Sequence, residues 1–325
     1  TVVSANTFDR AHENHDWQKL GLNYNSQEIL NEFTSNSIKE IGLRKRSGDI
    51  ILPFWGGYQK TICDSHPDLI DCEVSIGYPS AFAKYKVFES YAMLHAYGGM
   101  DKVRNADPKP FDTVIPSAFN FEEFDFKEEK EDFFLMVGRL IWSKGVHIAV
   151  QIAKELDKKL ILLGTTYGPH DCHLGNEWPE HVEYLGYADV DKRRYYMSRA
   201  KALFAPTLYT EPFGYVAIEA QLSGTPVIST DWGGFTETVL HGITGYRCRT
   251  YEQFKWAALN VDKINPHNCR IWAESNYSKE KISSLYKEYF ESIIIDKAAN
   301  GHGWFVENPY RTNMDNYTCL LYTSD

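Results

Sequence analysis

The chain has 325 residues, of which 43% are hydrophobic and 14% aromatic, and its formal net charge is −10 at pH 7. This length and this hydrophobic fraction are sufficient for a large core and favour two domains over one. The negative charge argues against general attraction to nucleic acid or anionic lipid, and no run of about 18 apolar residues is present to cross a bilayer.

The cysteines indicate a reducing compartment. All six are scattered, without the C-x2-C pair that is typical of zinc sites and redox couples. The first residues also lack the basic-then-apolar order of a secretion signal. We therefore expect free thiols in a cytoplasmic protein.

Residues 1–125 predict a compact α/β domain. Apolar runs at 49–53 and 112–116 are typical of strands, and residues 26–43 carry a helical pattern. The acidic segment 124–132 is a linker candidate, because its charges cannot all be buried. We place a domain boundary after residue 125.

From about residue 130 the sequence alternates between strands and helices. Short apolar runs predict buried strands, and the helical spacing between them predicts crossover helices. This order is typical of a Rossmann-like, doubly wound α/β domain, which binds ligands beyond the carboxyl ends of its parallel strands. We assign it residues 126–285. The predicted strands lie at 133–137, 160–163, 182–185, around 203 and at 225–229.

Two carboxylates, Glu211 and Glu219, flank a Pro-Phe-Gly turn. Pro212 suits the first turn of a helix and Gly224 suits its end, so a helix is predicted from about 213 to 223. The free amides of its first turn form an anion site that the helix dipole strengthens. They belong to Phe213, Gly214, Tyr215 and Val216.

The spacing of the two acids suggests an elongated ligand. Glu211 precedes the amides and Glu219 lies about two turns further along, so each can accept hydrogen bonds from a different set of hydroxyl groups. Two such acceptors beside a diphosphate cradle describe a nucleotide sugar. The alternative is that Glu211 only complements the helix dipole and that Glu219 is a solvated helix residue.

Residues 138–145 form a loop between the first strand and first helix of the second domain. The loop contains Gly138, Arg139 and Lys144, and the topology places it at the ligand-binding edge of the sheet. Both cations are expected to reach a diphosphate held at the turn after Glu211.

Residues 112–290 resemble the retaining glycosyltransferases of the GT-B fold, the group 1 or family 4 type with an E-x7-E motif. The order and spacing of several motifs carry this resemblance. They are VIPSAFNFEEF at 114–124, Gly138-Arg-Leu with Lys144-Gly145, Tyr184-Leu-Gly-Tyr187, Phe204-Ala-Pro206, EPFGYVAIE at 211–219, and GTPVISTDWGG at 224–234.

The resemblance implies two Rossmann-like domains that face a cleft, with a hexose moved from a nucleoside diphosphate sugar, UDP- or GDP-linked, to a hydroxyl acceptor. It also implies a C-terminal helix and tail, 286–325, that return to the first domain. No metal or cofactor is expected. By the resemblance, Arg139 and Lys144 bind the diphosphate, Glu211 the transferred sugar and Glu219 the ribose, and Leu185 and Tyr187 lie near the base.

The first domain supplies weaker candidates. His95 is expected on the side of the acceptor or sugar, or else in the core, while Trp55 and Gly57 either line the cleft or form a turn. Relatives usually begin with a strand and a Gly-rich loop, so we expect a fragment or a compact variant. An inactive nucleotide-sugar-binding protein and a sugar-nucleotide epimerase of the same fold are the alternatives to a transferase.

Overall fold

The computed structural model describes residues 27–54, 56–100 and 111–298, and these form two units. Unit 1 contains the described residues up to 87 together with 111–113 and 289–298, and unit 2 contains 88–100 and 114–288. The sequence predicts boundaries after residues 125 and 285, whereas the chain passes from unit 1 to unit 2 after 87 and again after 113, and returns to unit 1 after 288. Within the described ranges, none of the helices combines the length and apolar character that a membrane span requires.

Unit 1 is built on a sheet whose strand order is β1-β2-β3-β4. β1 and β2 pair in parallel, with Ile50 opposite Ile70. β2 and β3 are mostly buried, as expected of strands covered on both faces. The elements in chain order are α1 (Gln27–Arg44), β1 (Ile50–Ile51), α2 (Lys60–Asp64), β2 (Ile70–Ile76), β3 (Tyr85–Phe88) and β4 (Asp112–Val114).

The end of the long C-terminal helix belongs to unit 1. Asp296 is buried, and its carboxylate accepts hydrogen bonds from the Tyr85 hydroxyl at 2.6 Å and the Lys84 ammonium at 2.9 Å. The Tyr289 hydroxyl donates to the Phe111 carbonyl at 2.6 Å. Polar groups that are buried in this way need partners, so these bonds fix the helix on the sheet of unit 1.

Unit 2 contains a parallel sheet with the strand order β10-β9-β8-β5-β6-β7. Helix α3 (Tyr91–Met100) belongs to this unit and precedes the sheet in the chain. The sheet and its helices are β5 (Phe133–Val137), α4 (Val146–Glu155), β6 (Lys159–Leu163), β7 (Val182–Tyr184), α5 (Val190–Arg199), β8 (Ala202–Ala205), α6 (Tyr215–Leu222), β9 (Val227–Thr230), α7 (Phe235–Thr238), β10 (Gly245–Cys248), α8 (Tyr251–Asn260), α9 (Pro266–Tyr277) and α10 (Lys279–Ala298).

Both faces of this sheet are covered. Phe134 and Leu160 point to a core shared with α4 and α8, whereas Phe133 and Ile161 point to a second core shared with α5, α6 and α7. Successive residues of a strand face opposite sides, so a strand buried on both sides is apolar throughout. The continuous apolar runs therefore predicted these strands correctly.

The acidic segment 124–132 is anchored on unit 2. The Lys130 ammonium donates to the Ser198 carbonyl at 2.8 Å, the Ser223 carbonyl at 3.0 Å and the Thr225 hydroxyl at 3.1 Å. Burial lowers the pKa of Lys130 to about 7. The segment thus carries one basic anchor among its solvated acids, and this anchor ties together the ends of α5 and α6.

Candidate active site

The strand order of unit 2 reverses between β5 and β8. β5 pairs with β6 on one side and with β8 on the other. In an open parallel sheet, ligands bind beyond the carboxyl ends of the strands at such a point. The loops after these two strands, 138–145 and 206–214, contain Arg139, Lys144 and Glu211. The topology thus places these three predicted residues at one edge of the sheet.

The two loops are in direct contact. The Leu208 amide donates to the Ser143 carbonyl at 2.8 Å. Gly145 has a φ of 75°, and a Cβ atom there would lie 2.1 Å from the Pro206 carbonyl oxygen. Only glycine fits both the backbone conformation and this approach. Gly145 therefore allows the Lys144 loop to lie against the loop that carries Glu211.

Lys144 and Glu211 form a partly buried ion pair. The Lys144 ammonium lies 2.5 Å from Oε2 of Glu211, and the side chains are 21% and 13% exposed. The Tyr209 hydroxyl donates to the same oxygen at 3.1 Å. Burial raises the pKa of Tyr209, so its hydroxyl remains a donor at neutral pH. No described residue donates a hydrogen bond to the other oxygen of Glu211.

The Trp-Gly-Gly sequence after β9 packs against the backbone of the Glu211 loop. The Gly234 amide donates to the Glu211 carbonyl at 2.7 Å, and the Trp232 indole donates to the Tyr209 carbonyl at 3.1 Å. A Cβ atom at Gly233 would lie 2.7 Å from the backbone of Glu211. This packing holds the carboxylate in place without using its oxygens.

Arg139 lies in the first loop and is exposed. Its guanidinium makes no hydrogen bond or ion pair with another described residue. The preceding Gly138 has a φ of 136° and its amide donates to the Leu163 carbonyl at 2.9 Å. Arg139 is therefore a cation at the ligand-binding edge that is available to a ligand.

Helix α6 begins at Tyr215, two residues later than the sequence predicts. Phe213 is only 2% exposed and packs among Phe119, Tyr215 and Tyr277. Gly214 then reverses the backbone with a φ of 90°, where a Cβ atom would lie 2.6 Å from the Phe235 ring. Of the four predicted amide donors, Tyr215 and Val216 belong to the first helical turn, while Phe213 and Gly214 precede it.

Glu219 is buried inside α6, with 9% of the residue exposed. The Arg193 guanidinium of α5 lies 3.1 Å from Oε1, whereas Oε2 is buried and has no partner in the described part of the chain. Burial raises the pKa of Glu219, although Arg193 opposes the shift. An orphaned buried acceptor is costly in a native structure and indicates a missing donor.

Residues 119–268 match the family model described as glycosyl transferases group 1. This part of the chain is a group 1 glycosyltransferase domain. An uncharacterized glycosyltransferase of Methanocaldococcus jannaschii is 31% identical over 215 residues, which are 61% of this chain and 52% of that protein. The chain thus spans about half the length of this curated relative.

Solved structures show the same fold. AviGT4, a glycosyltransferase involved in avilamycin A biosynthesis, aligns with a TM-score of 0.67 at 20% identity, over 80% of this chain and 78% of its own. HepE of Anabaena, crystallised with UDP and glucose, aligns with a TM-score of 0.65 at 17% identity, over 88% and 89%. These findings confirm the glycosyltransferase family and the two-domain α/β fold, GT-B, that the motifs predict.

Leu185 and Tyr187 follow β7, at the same edge of the sheet. The Leu185 amide donates to the Leu162 carbonyl at 3.0 Å, and the Lys192 ammonium donates to the Leu185 carbonyl. Gly186 between them accepts from the Gly164 amide at 2.8 Å. Tyr187 is 62% exposed, so it can contact a ligand at this edge.

Two candidates from the first predicted domain, His95 and Gly57, belong to different units. His95 is exposed on α3, which belongs to unit 2, and its ring lies 6.3 Å from that of Tyr91. Gly57 is exposed in a short 3-10 turn of unit 1. Trp55 lies outside the described residues. The alternative of a core histidine is wrong for His95, because its side chain is exposed.

One Asp-x-Asp sequence, Asp189-Val-Asp191, occurs in the chain. The Asp189 carboxylate accepts from the Lys192 amide at 2.8 Å and caps α5. Asp191 lies in the first turn of the same helix, where a negative charge is favourable. Both acids are therefore accounted for by the start of α5.

Sequence reasoning missed Tyr209, Arg193 and Glu89 at this site. Tyr209 contacts Glu211, Arg193 contacts Glu219, and Glu89 accepts a hydrogen bond from the Tyr215 hydroxyl. Tyr209 lies only two residues before Glu211, a proximity that draws attention to it. Arg193 and Glu89 are 26 and 126 residues from their partners, so no local spacing reveals them.

Proposed function

We propose that this chain transfers a hexose from a nucleoside diphosphate sugar to a hydroxyl acceptor, with retention of the anomeric configuration. The observation that carries the proposal is the Lys144–Glu211 pair at the carboxyl ends of β5 and β8. A cation beside a carboxylate suits a sugar diphosphate, because the cation binds the phosphate and the carboxylate accepts hydrogen bonds from the sugar hydroxyl groups. The group 1 glycosyltransferase match supports this assignment.

The remaining residues suit the rest of such a donor. Lys144 and Arg139, with the amides of Tyr215 and Val216, would bind the diphosphate by charge and by the dipole of α6. Glu219 lies about one turn further along α6, and its orphaned oxygen would accept a hydrogen bond from a ribose hydroxyl. Tyr187 would lie beside the base.

The proposed transfer breaks the bond between the anomeric carbon and the diphosphate oxygen. The acceptor oxygen bonds to that carbon on the face that the diphosphate leaves, so the configuration is retained. The acceptor proton passes to an oxygen of the leaving diphosphate. Lys144 and Arg139 stabilise the negative charge that develops there, a role in which positioned cations reduce a barrier strongly. The proposal includes no metal ion, because these cations and the α6 amides supply the positive charge.

UDP-glucose is the first donor to test, because HepE, a structural neighbour, was crystallised with UDP and glucose. Nucleotide release would be measured with UDP-, GDP- and ADP-linked hexoses, with and without simple sugar acceptors. We expect release from one donor class, and we expect Glu211→Ala to reduce it about a hundredfold. Glu180→Ala is the matched control, since Glu180 is an exposed acid of the same unit.

The outcome separates the candidate functions. A product with the anomeric configuration of the donor, determined by NMR, supports retention. Saturable donor binding without release would instead identify a binding protein. Conversion of the donor sugar without an acceptor would identify an epimerase, and either result would overturn the proposed transfer.

A further inference from the structure

The segment that follows β3 is fastened to the loop before α6. The Ser90 hydroxyl donates to the Pro212 carbonyl at 2.5 Å, and Pro212 directly follows Glu211. The Tyr215 hydroxyl donates to Oε1 of Glu89. Glu89 is therefore held at two points against the stretch that contains Glu211 and the first turn of α6.

A second set of bonds fixes the same segment. The Glu237 carboxylate of α7 accepts hydrogen bonds from the amides of Tyr91 at 2.9 Å and Ala92 at 2.8 Å, which begin α3. The Ser90 hydroxyl also accepts from the Met93 amide at 3.0 Å. All of these residues belong to unit 2, so the position of Glu89 is a feature of that unit.

Glu89 is a buried carboxylate whose neighbour Ser90 is hydrogen-bonded to Pro212, the residue after Glu211. Only 7% of the residue is exposed, and no described residue donates to its Oε2. Burial raises the pKa of Glu89, and the nearby negative charge of Glu211 raises it further. Burying two negatively charged carboxylates costs free energy unless hydrogen-bond donors reach their oxygens. No described cation forms an ion pair with Glu89 that would compensate for this cost.

We propose that Glu89 is a second sugar-binding carboxylate of this site, which accepts a hydrogen bond from a hydroxyl group of the hexose held by Glu211. This inference rests on the proposed function. The juxtaposition of Glu89, Tyr215 and Glu211 around the start of α6 is the observation that carries it.

The chemistry of the two carboxylates selects the hexose rather than the diphosphate. A phosphate beside Glu89 and Glu211 would add a third negative charge, whereas a neutral polyol brings several hydroxyl donors to both. Tyr215 fixes Oε1 of Glu89 and leaves Oε2 as the acceptor. The Tyr215 hydroxyl also lies 2.7 Å from the Ser117 hydroxyl, which limits its freedom to turn away.

The test separates affinity for the hexose from affinity for the nucleotide. Dissociation constants would be measured by calorimetry for UDP, GDP and ADP and for UDP-glucose, UDP-galactose, GDP-mannose and ADP-glucose. We compare each sugar nucleotide that the parent binds with its nucleoside diphosphate. Glu89→Gln should raise the dissociation constant of the sugar nucleotide about tenfold and change that of the nucleoside diphosphate by no more than about twofold. Only the complex with the sugar nucleotide loses a charge-assisted hydrogen bond.

Two further variants control this experiment. Tyr215→Phe keeps the α6 amide but frees Glu89, and we expect a smaller loss in the same direction. Glu180→Gln, an exposed acid, should leave both constants unchanged. Thermal unfolding of each variant shows whether it is folded.

The proposal is overturned if Glu89→Gln weakens binding of the nucleoside diphosphate as much as binding of the sugar nucleotide. Glu89 would then support the structure of the site without contacting the hexose. It is also overturned if neither constant changes, or if the hexose adds no affinity in the parent. These results leave the proposed transfer intact as long as Glu211→Ala reduces nucleotide release about a hundredfold. Failure of every nucleotide to bind would overturn both.

Discussion

The two carboxylates of the E-x7-E motif lie eight residues apart, yet their surroundings differ. Glu211 lies in a loop, where Lys144 and Tyr209 contact one of its oxygens and the other accepts no hydrogen bond from a described residue. Glu219 lies inside α6, where burial raises its pKa and one oxygen has no partner. Each carboxylate has a cation beside it, Lys144 or Arg193. At Glu219, however, burial outweighs Arg193 and raises the pKa, so the charged form of the helix carboxylate is kept at an energetic cost.

This difference suggests different roles. A carboxylate paired with a cation at the sheet edge is placed to act where charge moves during transfer, so its surroundings should affect the rate. A buried carboxylate with an orphaned oxygen is placed to select a neutral hydroxyl group, so its surroundings should affect affinity. The following variants separate these two effects.

Lys144→Ala should have the largest effect. We expect nucleotide release to fall about a hundredfold, or about 3 kcal/mol, because the variant loses a cation beside the leaving diphosphate. Steady-state release with the donor found in the panel measures this. Lys154→Ala, an exposed lysine of α4, is the control. Turnover of Lys144→Ala within a few-fold of the parent would remove Lys144 from the catalytic assignment.

Gly145→Ala should separate the Lys144 loop from the Glu211 loop. A Cβ atom would lie 2.1 Å from the Pro206 carbonyl oxygen at a φ of 75°, so we expect a loss of about 2 kcal/mol or more in the free energy of unfolding, with a decrease in release. Gly242→Ala has a similar φ of 80° with no atom within 4 Å. Equal losses in urea unfolding would mean that strain alone, and not the loop contact, matters.

Glu219→Gln should change selectivity for the ribose. We expect the parent to bind its preferred nucleoside diphosphate about tenfold more tightly than the 2′-deoxy or 3′-deoxy form, and the variant to lose most of this preference. Arg193→Met should have a similar but smaller effect, because the carboxylate would lose its fixed orientation. Arg194→Met is the control on the same helix. A preference that stays unchanged in Glu219→Gln would exclude ribose binding by this residue.

The smallest expected effect is on the pH dependence of thermal stability in Glu219→Gln. Burial raises the pKa of Glu219 in the folded state, so protonation of Glu219 stabilises the fold. This contribution to stability is fully present below the pKa of the unfolded state and is lost as the pH rises through the pKa of the folded state. Glu219→Gln keeps the neutral form, so its melting temperature should exceed that of the parent most at neutral pH. The difference should shrink under acidic conditions. A parent that is more stable at neutral pH would show that the Arg193 pair outweighs burial.

Much of unit 2 could be predicted because its signals are local. The apolar runs of β5 and β6 and the glycines that follow them predicted strands and their ends. Pro212 and Gly224 predicted the helix after Glu211, but its first residue was placed two positions early. The true start depends on Phe213 packing among rings from distant segments and on the Phe235 ring beside Gly214, which no local pattern contains.

The sequence alone determined the alternation of strands and helices, and with it the sheet edge at which Arg139, Lys144 and Glu211 meet. It also determined the family, since the order of the motifs is specific. Only the tertiary structure decided that Arg193 holds Glu219 and that Glu89 lies against Tyr215. The physical reason is that strand and helix periods are properties of neighbouring residues, whereas the partners of a buried carboxylate depend on which distant segments the fold brings within hydrogen-bond distance.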